Sequence, residues 1–110
     1  MRLAASALLA FSLASPAAAE EAADDEARLE LGRQVFLEIA QPACALCHTL
    51  ADAGADREVG PVLDQMRPDQ ERVRKAVAEG IGAMPAYEDL SEEEVDAVAL
   101  YVSKVAGNPR

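Results

Sequence analysis

Cys44-Ala45-Leu46-Cys47-His48 decides how this chain is read. The spacing C-x-x-C-H is that of covalent haem attachment. Two cysteines three positions apart fall on one side of a helical turn, where both sulfurs can reach the two vinyl groups along one porphyrin edge. His48 follows Cys44 by four positions and falls on that same side, able to present a ring nitrogen to the iron. Thioether bonds then hold the ring so that this ligand does not easily leave.

Other uses of the cysteine pair fit less well. A thioredoxin-like redox pair wants a strand before it and a sheet around it, and no run of this sequence alternates as a strand does. A zinc site needs four ligands, whereas the chain offers two cysteines and one histidine. A disulfide is sterically poor at this spacing inside a helix and leaves His48 without a role. Because His48 is the only histidine, bis-histidine ligation within one chain is excluded. Methionine is the leading candidate for the other face of the iron, since its soft thioether binds low-spin haem iron and raises the potential. Met84 is followed by Pro85, which restricts it to extended backbone. Met66 precedes a helical stretch and reads as core filling. Met84 is therefore the expected axial ligand, with Met66 or no protein ligand as the alternatives.

Outward from the motif the pattern is helical. Gly32, Val35, Phe36 and Ile39 share one face of a helix expected from about Asp25 and ended or kinked at Pro42. Residues 51–61 carry Gly54, Gly60 and Pro61 among charges and read as a loop. A second helix is expected after Pro68, capped by Asp69 and stopped by Gly80. Residues 80–85 are turn-rich. Ser91 and Glu94 form a capping-box signature before the stripe Val95, Val98, Ala99, Val102, Val105 and Ala106, and Gly107 stops that helix. The class is all-α, with three main helices. Loops this long are unusual in a small domain unless they wrap something.

The first residues are read as a signal peptide over 1–19: a positive Met1-Arg2, an apolar Leu3–Leu13 and small residues ending at Ala19. The apolar run falls short of the roughly 20 residues that span a bilayer, so no stable membrane insertion is expected, and the mature protein is placed in a periplasm. Residues 20–27 read as a flexible acidic leader and 28–107 as the folded domain. The chain of 110 residues carries a formal charge of −10, and loss of Arg2 makes it more negative. Such acidity argues against nucleic acid and anionic membrane as partners. It fits docking onto a basic patch. Beyond the signal the only aromatic residues are Phe36, Tyr87 and Tyr101, a thin core that calls for a staple or a large bound group.

Taken together, Cys44 to His48, Gly60-Pro61-Val62-Leu63, Met84-Pro85 and a closing helix with Leu100-Tyr101-Val102 resemble the class I (mitochondrial-type) c-type cytochromes, from about Leu29 to Ala106. The resemblance implies a cytochrome c-like fold wrapped around one haem c and its iron, attached at Cys44 and Cys47. It implies His48 and Met84 as axial ligands. Pro61 would supply the carbonyl that accepts a hydrogen bond from the other ring nitrogen of His48. Gly32 would let the last helix cross closely, and Phe36 would pack beside Tyr101. Tyr87 is left open between the haem pocket and the surface. The lysine-rich face of mitochondrial members is absent, Lys75 and Lys104 being the only lysines, so a small acidic bacterial monohaem type fits better. The stretch Gln41–Tyr87 is also similar to periplasmic cytochromes that take electrons from molybdenum-containing sulfite dehydrogenases. The function so implied is a non-catalytic one-electron carrier from a donor dehydrogenase, such as that sulfite dehydrogenase, to an oxidase or another cytochrome. Its alternative is a tightly held subunit of a larger redox enzyme. A rival reading, a haem open on one face for gas or peroxide, would need Tyr87, Glu88 or Arg67 as distal acid–base groups.

Overall fold

Residues 3–13 and 15–110 are described by the computed structural model, and helix α1 runs from Pro16 to Gln34. The Met1-Arg2 pair of the expected signal peptide lies outside them. Proline at the start of α1 suits a position whose N–H has no helical partner. From Pro16 to Arg28 the helix is exposed along its whole length. The leader expected to be flexible is therefore helical. Its Ala-Glu composition explains this, because both residues favour helix without needing a buried face. Burial begins only at Leu29 and Gly32. Past Gln34 the helix widens into a π-helical turn, Val35–Ile39, that buries Val35 and Phe36.

The cysteines follow in a short 3₁₀ turn, Cys44–Leu46. A two-stranded antiparallel ribbon comes next, β1 (Thr49–Leu50) against β2 (Ala55–Asp56), with Thr49 opposite Asp56 and Leu50 opposite Ala55. A 3₁₀ turn at Ala51–Ala53 joins the strands, and Gly54 closes it at φ 66°. Strands of two residues are too short to leave an alternating pattern, which is why the sequence showed none. The short helix α2 spans Leu63–Met66. Helix α3 spans Gln70–Glu79, its Arg72 amide bonded to the Asp69 side chain at 2.8 Å. Helix α4 spans Glu92–Val105 and opens on a complete capping box between Ser91 and Glu94.

Helix α4 is the centre of the packing, with α1 on one side and α3 on another. The α1–α4 crossing depends on Gly32. A Cβ there would collide with the Ala97 carbonyl and come within 2.5 Å of Tyr101 Cβ. Just past that crossing Phe36 meets Tyr101 edge-on, ring centres 6.3 Å apart. Two carboxylates tie the ribbon to this frame. Asp64 accepts from the Ala51 amide and from the Gly107 amide, each at 2.8 Å. Asp52, its side chain 5 % exposed, accepts from the Tyr101 hydroxyl at 2.6 Å and the Arg110 amide at 2.7 Å.

Candidate functional site

Between the frame and the long connections lies one large cavity of about 790 Å³. Phe36, Leu63, Val73, Val77, Val98 and Val102 contribute to its walls, so most of what it offers is apolar. Cys44, Cys47, His48, Pro61, Met66, Met84 and Tyr87 all reach it. The connections that looked too long for a domain of this size are its walls.

The cysteine segment forms one of them. Both thiols are free and half-buried. Backbone bonds from the Cys47 and His48 amides to the Cys44 carbonyl, 3.2 and 3.0 Å, make the turn that brings Cys44, Cys47 and His48 together. Burial pushes the Cys44 thiol up to about 11, with the neighbouring Cys47 adding to the effect and a backbone hydrogen bond opposing it. It therefore stays protonated at neutral pH, the reverse of the low-pKa thiolate of a reactive redox cysteine. Among the described residues no three or more His, Cys, Asp or Glu side chains are grouped so as to hold a metal ion.

The imidazole is held in a single orientation. Nδ1 of His48 lies 2.7 Å from the Pro61 carbonyl oxygen. A carbonyl only accepts, so Nδ1 carries the proton and donates, and Nε2 keeps its lone pair. Gly60 closes against the ring. A Cβ at that position would stand 2.7 Å from His48 Cε1 and 3.2 Å from Nε2. The Gly60 amide is bonded to the Cys47 carbonyl at 2.7 Å, which draws the 57–62 loop onto the motif. Gly60 entered the sequence reading only as a loop residue of a motif. What marks it is its place one residue before the histidine's acceptor.

Met84 comes from the connection between α3 and α4. Its amide donates to the Ile81 carbonyl at 2.9 Å and its carbonyl accepts from the Ile81 amide at 3.0 Å. Gly82, at φ 56°, turns the chain between them. Gly80 sits at φ 72° with room for no Cβ, since one would lie 2.8 Å from the Met84 oxygen. The Met84 backbone is thus fixed on both sides. Met66 also borders the cavity, from the end of α2.

Tyr87, whose place the sequence left undecided, lines the cavity. Its hydroxyl donates to the Pro42 carbonyl at 2.7 Å and its amide to the Val77 carbonyl at 2.9 Å. Burial, and after it the two cysteines, push its hydroxyl up to about 12. The other two groups considered for distal acid–base work stand elsewhere. Glu88 borders a separate side crevice with Ile39 and Leu90. Arg67 turns the chain at φ 48° and reaches the Asp64 carbonyl at 3.4 Å.

These residues fit a haem. A large apolar cavity presents two free thiols from one short turn, an imidazole whose Nδ1 is committed to Pro61, and a thioether from a separate, pinned loop.

Comparison with known proteins agrees. The family profile described as "Cytochrome C oxidase, cbb3-type, subunit III" matches residues 27–102. Cytochrome c6 of Bryopsis maxima is 36% identical over 87 residues, 69% of this chain and 90% of that protein. Chloroplastic cytochrome c6 of Chlamydomonas reinhardtii is 41% identical over 105 residues, and the match covers 86% of this chain but only 63% of the length of that relative. The solved structure of the c-type cytochrome SorU from Sinorhizobium meliloti superposes with a TM-score of 0.75 at 62% identity, covering 77% of this chain and 98% of that one.

Proposed function

This chain belongs to the cytochrome c family and carries covalently bound haem c, and on that premise we propose that it is a periplasmic carrier of single electrons. Cys44 and Cys47 would hold the haem by thioethers, and His48 and Met84 would ligate its iron. Bound there, the haem supplies a one-electron iron couple. The chain's own residues do the rest. Pro61 fixes the tautomer of His48 and raises the basicity of Nε2. The Ile81–Met84 backbone pairing holds the thioether at a set point. The apolar walls exclude water, which favours the less charged redox state. With a side chain holding the iron from each side, no substrate would reach it and little rearrangement would accompany electron transfer.

The observation that carries this reading is the 2.7 Å contact between His48 Nδ1 and the Pro61 carbonyl. It dedicates the chain's only imidazole to one nitrogen donor facing an apolar cavity. The test is spectroscopic. A ferric haem with a Met ligand shows a weak far-red band. The band is expected in the wild type, lost in Met84→Leu and kept in Met66→Leu. Loss in Met66→Leu alone would move the ligand to Met66.

Electrons would enter and leave by the haem edge near the thioethers, and the exposure of Leu46 (57%) and Val59 (79%) beside the cysteine segment supports this. The donor proposed is a molybdenum sulfite dehydrogenase, on the likeness of residues 41–87 to cytochromes that serve such enzymes. The acceptor is an oxidase or another cytochrome. Export by a signal peptide over residues 1–19 belongs to the same proposal, and no helix among the described residues is long and apolar enough to cross a membrane. The matching family profile is named for an oxidase subunit, which favours a second reading: a cytochrome held tightly in a larger redox complex. Size-exclusion chromatography of native extract separates the two. Elution near the mass of the single chain supports a diffusing carrier, and co-elution with a large partner supports the subunit.

A further inference from the structure

The loop that carries Met84 has few ties to the rest of the molecule. The Ile81–Met84 pairing is internal to the loop and moves with it. Residue 87 makes the external ones. Its amide bonds to Val77 at the end of α3, and its hydroxyl reaches across 45 positions of sequence to the Pro42 carbonyl, two residues before Cys44. Among the described residues, this is the single hydrogen bond between the Met84 loop and the cysteine segment. The Tyr87 ring meanwhile lines the cavity between them. Its hydroxyl has no other partner there, and its one proton is committed to the Pro42 carbonyl, so it is not free to donate to a ligand on the iron.

We propose that Tyr87 is a positioning residue: its hydrogen bond to Pro42 clamps the Met84 loop to the cysteine segment and so sets how firmly the Met84 sulfur holds the iron. The inference rests on the reading of Met84 as the axial ligand. Without the clamp, the ring still fills its place in the cavity wall and the Val77 bond still holds the loop at its base. Only the tie across the cavity mouth is lost. The Met84 side then opens more often, and a small external ligand competes better for the position it leaves. A net hydrogen bond of ordinary strength corresponds to roughly a two- to tenfold change in that competition.

The experiment compares imidazole binding to the ferric holoprotein of wild type and Tyr87→Phe, followed by loss of the far-red band, with thermal unfolding measured on both. The substitution removes one oxygen atom and keeps the ring. Imidazole is expected to bind about fivefold more tightly to Tyr87→Phe, and the band is expected to disappear at a lower pH than in the wild type. Equal imidazole affinity, with the band present in both proteins, overturns the role of Tyr87 and leaves Met84 as the ligand. This holds even if the variant unfolds at a lower temperature, because a purely structural role lowers stability without changing the competition for the iron. A wild-type protein without the band overturns the Met84 reading and this inference together.

Discussion

At Gly60 a single methyl group separates a held imidazole from a displaced one. A Cβ there would lie 2.7 Å from His48 Cε1, inside any real contact distance, so either the ring turns or the Pro61 carbonyl withdraws. Gly60→Ala is expected to weaken the far-red band and to lose about 1–3 kcal/mol of stability, in line with overpacking at a close contact. Thermal unfolding and the visible spectrum of the holoprotein check both. Asp52 acts through charge instead. Burial tends to raise its carboxyl, but hydrogen bonds from Tyr101 and Arg110 outweigh that and hold it below its ordinary value of 3.8. A carboxylate depressed on folding contributes stability that is fully present above its unfolded pKa and lost as pH falls through the lower folded value. The stabilisation is therefore complete at neutral pH and fades below about pH 4. Asp52→Asn should unfold more easily at pH 7, by about 1–2 kcal/mol, and the gap to wild type should narrow on acidification. A gap that is constant with pH would show that Asp52 contributes only shape. The grouping of two thiols and an imidazole at the cavity was legible because it follows from spacing alone: Cys44, Cys47 and His48 share one turn. Asp52 was not, since nothing local to residues 50–54 announces a partner 49 or 58 positions away.

Among the elements, α4 was the most readable. Its capping box and apolar stripe are local signals, and the helix found, Glu92–Val105, begins where Ser91 ends. Asp69 and Gly80 bounded α3 in the same way. Helix α1 extends well before the Asp25 expected from periodicity, because an exposed Ala-Glu helix carries no periodic face to read. The π-helical turn at Val35–Ile39 and the two-residue strands had no sequence signal at all. Gly32 was legible through resemblance, and the structure supplies its physical reason at the α1–α4 crossing. Gly32→Ala must move the Ala97 carbonyl or the Tyr101 side chain. It is expected to lower stability by about 1–3 kcal/mol while far-ultraviolet circular dichroism still reports the same helices. An unchanged unfolding temperature would mean that the crossing relaxes freely.

For the whole molecule the cavity explains the proportions: long connections, few aromatic residues and a thin core are what a chain needs to enclose a haem rather than to fill its own interior. The formal charge of −10 is spread unevenly. Glu20, Glu21, Asp24, Asp25 and Glu26 lie on α1 and Glu92, Glu93 and Glu94 open α4, whereas the cavity is bordered by Arg72 and Lys75 with Glu79 as its one acidic residue. Long-range attraction of a basic partner follows from the net charge, and it is screened as the Debye length shrinks from about 30 Å at 0.01 M salt to about 3 Å at 1 M. The second-order rate of electron transfer with such a partner is expected to fall on the order of tenfold over that range, and a flat response would remove steering from the account. The claim on which the rest depends is that both axial positions of the iron are occupied by the chain itself. Exposure of the reduced protein to carbon monoxide tests it directly. A closed His48–Met84 site predicts an absorption spectrum that does not change, and rapid formation of a carbon monoxide adduct would contradict it.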